Sequence, residues 1–182
     1  DGIINGLQVS LSDQSAAPGG LTLGPGYAVS PTGQDLSIGR AKALNLNDLP
    51  LQSPSGNPAL SLPGVGVLVM RAVTDEEAAP DGIAGHVSGF AWDQQRDPGA
   101  APYVDLRLVD GVELAFVKLP GLAALVDAPN GMNAAAQVLI EAERTGASLA
   151  EFTKTHVALA MIAVNPAGEI TWMARHGGAR QG

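Results

Sequence analysis

Residues 1–38 read DGIINGLQVSLSDQSAAPGGLTLGPGYAVSPTGQDLSI, three short apolar runs separated by Gly, Pro, Ser and Asp. Such punctuation between brief apolar runs predicts a small β-meander. Along the first run Ile4, Gly6, Gln8 and Ser10 alternate with Ile3, Asn5, Leu7, Val9 and Leu11, the two-residue period of a half-buried strand. The glycines stand at turns, where a positive φ is needed. No side chain in the stretch has the chemistry of a catalytic group, so its content is architectural.

Outward from there, Gln34–Ile38 and Ala41–Leu46 continue the strand pattern, and residues 47–64 (NDLPLQSPSGNPALSLPG) break it. Four prolines and no charge beyond Asp48 predict an extended connection, with Leu49, Leu51, Leu60 and Leu62 suited to packing against a partner. Val65–Val73 (VGVLVMRAV) is nearly all apolar and predicts a strand buried on both faces. Residues 103–119 alternate on both sides of Asp110-Gly111, a hairpin pattern with a type I′ turn, in which Asp105, Arg107, Glu113 and Lys118 supply cross-strand charge pairs. Asn133–Arg144 (NAAAQVLIEAER) predicts a helix capped by Asn133 and ended by Gly146. Ser148 and Glu151 form a capping-box pattern that predicts a short second helix over 148–155. Val157–Val164 and Glu169–Ala174 flank Asn165-Pro166-Ala167-Gly168 and predict a terminal hairpin.

The fold class that follows is α+β, predominantly antiparallel β of meander or sandwich style, with one or two helices in the C-terminal third. Its organisation reads as a β-meander module at 1–46, a Pro-rich connection at 47–64, and a β-rich domain at 65–182. That domain holds helices near 133–144 and 148–155 and the C-terminal hairpin.

Composition narrows the function classes. Hydrophobic residues make 46% of the 182 and charged residues 15%, so little charge is left to cover the surface and a partner surface is expected. A net charge of −8 without a Lys/Arg cluster argues against a nucleic-acid footprint. No apolar run approaches the roughly 18 residues of a membrane-spanning helix. Cysteine is absent, which removes disulfides, thiolate chemistry and Cys-ligated zinc. Beginning at Asp1 without Met, the chain reads as processed or partial.

Candidate chemistry is sparse. His86, His156 and His176 are widely spaced and match no metal-ligand pattern, and His156, at the mouth of an apolar strand, reads as half-buried and satisfied by backbone groups. Asp75, Glu76, Glu77 and Asp81, or Asp93 and Asp97, can be cast as a carboxylate pair of a hydrolase, against the simpler reading of solvated acidic loops. Trp92, Tyr103 and Trp172 can stack on sugar rings or pack in a core or interface. Ser88 lacks a nucleophile elbow, and Gly24-Pro25-Gly26 lacks the Lys and helix of a phosphate loop. No catalytic, metal or cofactor site is expected.

Gly6, Leu7 and Val9, then Pro25, Gly26 and Ala28, then Gly33 carry a pattern that resembles a module of phage tails and tail-like particles. The similarity is to baseplate and fibre-attachment proteins of contractile injection systems. Val109–Val112, Val157–Ala160 and the Arg175–Arg180 tail are similar to the second half of such proteins. The resemblance implies a structural, non-enzymatic role as a homo-oligomer among other particle subunits. It also implies assembly in the cytoplasm and a final place on a virion or extracellular tail-like particle. Leu49, Leu51, Leu60, Leu62, Trp92, Tyr103 and Trp172 are the expected partner contacts. The alternative is a carbohydrate-binding or adhesin-like β module on the three aromatics, and a carboxylate-dependent hydrolase is the third reading.

Overall fold

The computed structural model describes residues 2–12, 19–59, 61–73 and 111–175. The chain is α+β and mostly antiparallel β. The opening stretch forms β1 (Gly2–Gly6), β2 (Val9–Leu11), β3 (Gly20–Leu23), β4 (Gly26–Val29), β5 (Asp35–Ile38) and β6 (Lys42–Asn45). These six strands are three arms, each bent once. Arm 2–11 pairs with arm 20–29 in a register that runs from Leu11↔Leu21 through Gly6↔Gly26 to Gly2↔Val29. The middle arm then pairs with 35–45 on its other side. Bending divides this meander into two three-stranded sheets, β1-β4-β5 and β2-β3-β6.

The bend has a local cause. Gly6 and Leu7 both take positive φ, 67° and 54°, which turns the first arm sharply. Two hydrogen bonds carry the ladder across the break, Leu7 N–H to the Pro25 carbonyl at 3.0 Å and Gly24 N–H to the Gln8 carbonyl at 2.8 Å. The arms approach so closely that a Cβ on Gly26 would lie 2.7 Å from the Gly6 carbonyl carbon, and one on Gly6 would lie 2.8 Å from Gly26 Cα. Around the outside of the bend Gly39, Arg40 and Ala41 face only Gly24 and Pro25, because the outer arm has farther to travel. The alternation expected along residues 3–11 is therefore interrupted twice: a bulge at Ile4 shifts the register, and the bend resets which face is inward. Leu7 and Val9 end up buried, while Ile4 and Leu11 face out.

After a 3₁₀ turn at Leu46–Asp48, the Pro-rich connection contributes β7 (Leu51–Gln52). A tight turn at 53–57 follows, closed by Ser53 and Asn57, with a bridge from Gln52 to Pro58. β8 (Gly64–Val73) is the central strand, and β9 (Gly111–Lys118), β10 (Val157–Val164) and β11 (Ile170–Arg175) complete a five-stranded sheet of order β11-β10-β8-β9-β7. β7 joins β9 in parallel and the other pairs are antiparallel. Of the expected hairpin at 103–119, the arm 103–110 lies outside the described residues. The arm from Gly111 pairs with β8 along its length, from Val73↔Gly111 to Gly66↔Lys118.

β8 is buried on both faces because both faces of the sheet are covered. On one side Leu68 and Met70, with Phe116, Leu159 and Ile162, pack on Leu7, Val9, Leu21, Leu23, Leu36 and Ile38 of the meander. On the other side Val65, Val67, Val69, Ala115, Val117, Met161 and Ala163 pack under the helical layer. The result is three layers: bent meander, sheet, helix. Gly66 leaves room for the Phe116 ring, whose Cε1 would stand 2.5 Å from a Cβ there. In β10 a register shift between Ala158 and Ala160 reverses the pleat, which lets both Leu159 and Ala160 join the meander-side core.

The helical layer is α1 (Gly131–Thr145) and a 3₁₀ helix at Ser148–Lys154. Gly131, Ala135, Leu139 and Ala142 make the inward stripe of α1. Gly146, at φ 68°, ends it as expected, but the N-cap is Asn130, which places Asn133 inside the helix. The capping box at Ser148 does not form. Ala147 is the N-cap without a side-chain bond, and Glu151 pairs instead with Lys154 at 2.8 Å. Asn165 closes the terminal hairpin by accepting from the Ala167 and Glu169 amides, both at 2.9 Å.

Candidate functional site

The expected partner contacts fall on different parts of the fold. Leu49, Leu51 and Leu62 are half-buried and pack together against the meander-side core, Leu51 standing beside Phe116 in the β7–β9 pairing. Their position follows from the parallel pairing of β7, which draws the connection onto the sheet. Trp172 lies on the opposite face of the sheet, against the helix-side core. Its indole N–H donates to the Leu125 carbonyl at 3.0 Å, and Thr171 beside it donates to the Val126 carbonyl at 2.7 Å. Leu60, Trp92 and Tyr103 lie outside the described residues, as do His86, His176, Ser88 and the acidic runs at 75–81 and 93–97.

Two further features stand out. The first is the outer side of arm 2–11. Among the described residues it is an open edge in both meander sheets, no residue from Gly2 to Ser12 is charged, and it exposes Ile4 at 61% and Leu11 at 54%. Edge strands of soluble proteins commonly carry Lys, Pro or a bulge to block further pairing. Of these devices this arm has only the bulge at Ile4.

The second is a polar row across the end of the central sheet. Val157 is opposite Met70, which brings the preceding His156 next to Arg71 on β8; Arg71 is in turn opposite Glu113 on β9. Alternation from Val69, Ala115 and Ala158 puts all three on the helix side of the sheet. Arg71 Nε donates to Glu113 Oε2 at 2.5 Å. Asp105 and Arg107, the other members of the charge pairing expected within the 103–119 hairpin, lie outside the described residues; Lys118 Nζ donates to the Ser61 carbonyl at 2.9 Å.

His156 is half-buried. Its Nδ1 lies 2.9 Å from Thr155 Oγ1 and 3.2 Å from the Phe152 carbonyl, while Nε2 is buried with no hydrogen-bond partner among the described residues. The carbonyl can only accept, so the network assigns the proton to Nδ1 and leaves a bare lone pair at Nε2. Burial pushes the imidazole below its ordinary value of 6.5; the Phe152 bond opposes that shift, Arg71 adds to it and Glu113 opposes it. The backbone satisfaction expected from sequence holds for one ring nitrogen and fails for the other. A lone histidine at a strand mouth carries no sequence signal for such a row, which needs the β10-β8-β9 order.

Among the described residues no group of three or more His, Asp or Glu is placed to hold a metal ion. No helix there is long and apolar enough to cross a membrane. Comparison with protein-family models, with curated proteins and with solved structures returned no match to the chain.

Proposed function

We propose that the chain is a structural subunit of a phage tail or tail-like particle, joined to copies of itself and to neighbouring subunits through β edges and apolar loops. It is assembled in the cytoplasm and ends on the virion or extracellular particle. The observation that carries the reading is the uncharged open edge of residues 2–11 with Ile4 and Leu11 exposed. Large apolar side chains in an uncharged edge mark a contact surface more than a solvated one. Support also comes from the residues that carry the tail-module resemblance: Gly6, Leu7, Pro25 and Gly26 make the bend of the meander, a scaffolding role rather than a chemical one.

Light scattering after size exclusion, with negative-stain imaging, tests this directly. The wild-type chain is expected to form closed oligomers, and Ile4→Asp with Leu11→Asp to give monomers with an unchanged circular dichroism spectrum. A wild type that stays monomeric at high concentration refutes it.

A further inference from the structure

We infer that His156 is an acid-sensitive latch that fastens the 3₁₀ helix at 148–154 to the end of the central sheet and releases it on protonation. This goes beyond the assembly role and stands whether or not that role does. The amides of Thr155 and His156 both donate to the Phe152 carbonyl, at 3.2 and 2.9 Å, and the His156 ring closes onto the same oxygen through Nδ1. Phe152 and Ala150 plug the helix-side core, so whatever moves this turn also moves a core side chain.

The ring is built for the neutral form. Protonation would place an N–H at Nε2, a buried atom with no acceptor among the described residues, and an unsatisfied buried donor is costly. It would also place a second positive charge beside Arg71 of β8. Glu113 of β9, the carboxylate within this row, pairs with Arg71 and has no hydrogen bond to the ring. On the 3₁₀ helix Glu151 and Lys154 are exposed and paired with each other. Thr155 and the Phe152 carbonyl both meet Nδ1, so neither serves Nε2. With no acceptor for Nε2 among the described residues, the charged ring gains a partner by turning out to water, which breaks the Phe152 contact.

The direction in pH follows by linkage. The folded state holds the imidazole below 6.5, its value in the unfolded chain, so the unfolded chain binds the proton more readily between those values. The stabilisation is complete above 6.5, declines as pH falls through the window beneath it, and is fully lost below the folded-state value.

Two measurements test the latch. NMR titration of the His156 ring in the wild-type chain should give a midpoint below 6.5, with amide exchange at residues 150–156 accelerating over the same range after correction for intrinsic rates. Urea midpoints between pH 7.5 and 5 should fall for wild type and stay flatter for His156→Gln, whose amide can keep the Phe152 bond without titrating. A ring midpoint at or above 6.5, or parallel pH profiles for the two proteins, overturns the inference. Neither result depends on particle assembly, so an oligomerisation failure in the edge-strand experiment leaves this test intact.

Discussion

Replacing Gly26 by Ala probes the bend that organises the first third of the chain. The added Cβ would fall 2.7 Å from the Gly6 carbonyl carbon and closer than 3.0 Å to Leu7 N and Asn5 O. All three are backbone atoms, so no side chain can swing aside and the two arms must separate. Forcing a methyl into a closed contact costs about 1–3 kcal/mol. Separation also strains the bonds that bridge the break, Leu7 to Pro25 at 3.0 Å and Gly24 to Gln8 at 2.8 Å. Each is worth about 1 kcal/mol net. The expected loss is about 3–5 kcal/mol, which at about 2–4 °C per kcal/mol for a chain of this size lowers Tm by about 10 °C. Gly33→Ala is the contrasting control: its φ is 83°, whereas that of Gly26 is not positive, and nothing lies within 4 Å of the new Cβ. That variant should lose only the backbone strain, about 1–2 kcal/mol. Urea denaturation of both followed by circular dichroism gives the comparison. If Gly26→Ala costs no more than Gly33→Ala, the bend is not held by close backbone approach and the account of the meander fails.

Two further outcomes concern the sheet. Phe116→Ala removes a fully buried ring that packs over Gly66 and beside Leu51, and should cost about 3–5 kcal/mol in denaturant unfolding. A loss below about 1 kcal/mol would mean that the two layers do not share this core. For Arg71 and Glu113, with side chains 36% and 26% exposed, a double-mutant cycle should return a coupling of about 0.5–1 kcal/mol that shrinks as salt is added. A coupling that salt leaves unchanged would place the pair in a drier site than the geometry describes.

Local rules carried the reading a long way where neighbours in sequence are neighbours in space. The terminal hairpin, Gly146 at the end of α1 and the apolar run of β8 were legible because each depends on a few adjacent residues: an Asn side chain closing a turn, a glycine at positive φ, an unbroken buried pattern. Capping was misplaced for a related reason. Asn130 and Asn133 are both plausible N-caps by type, and the start of α1 is set instead by Gly131 fitting under the Leu125 carbonyl and the Trp172 indole, a contact between distant parts of the chain. Ser148 likewise has the residue type of a cap, but the chain enters the turn through Ala147 and Glu151 finds Lys154.

What the sequence by itself determined is much of the inventory: the strands at 64–73, 111–118, 157–164 and 170–175, where α1 ends, that the chain is α+β and largely antiparallel, and that Gly and Pro punctuate its first third. Those properties follow from residue type and period, which act over a few residues. Tertiary structure alone decided that Gly6 and Gly26 meet at a bend, that Leu49, Leu51 and Leu62 turn toward the core, and that β9 completes its pairing with a strand far back in the chain. It also decided that His156, Arg71 and Glu113 form one row. Each of these depends on sheet order and on a register that a single bulge reverses, and no local pattern encodes which distant strand will lie alongside.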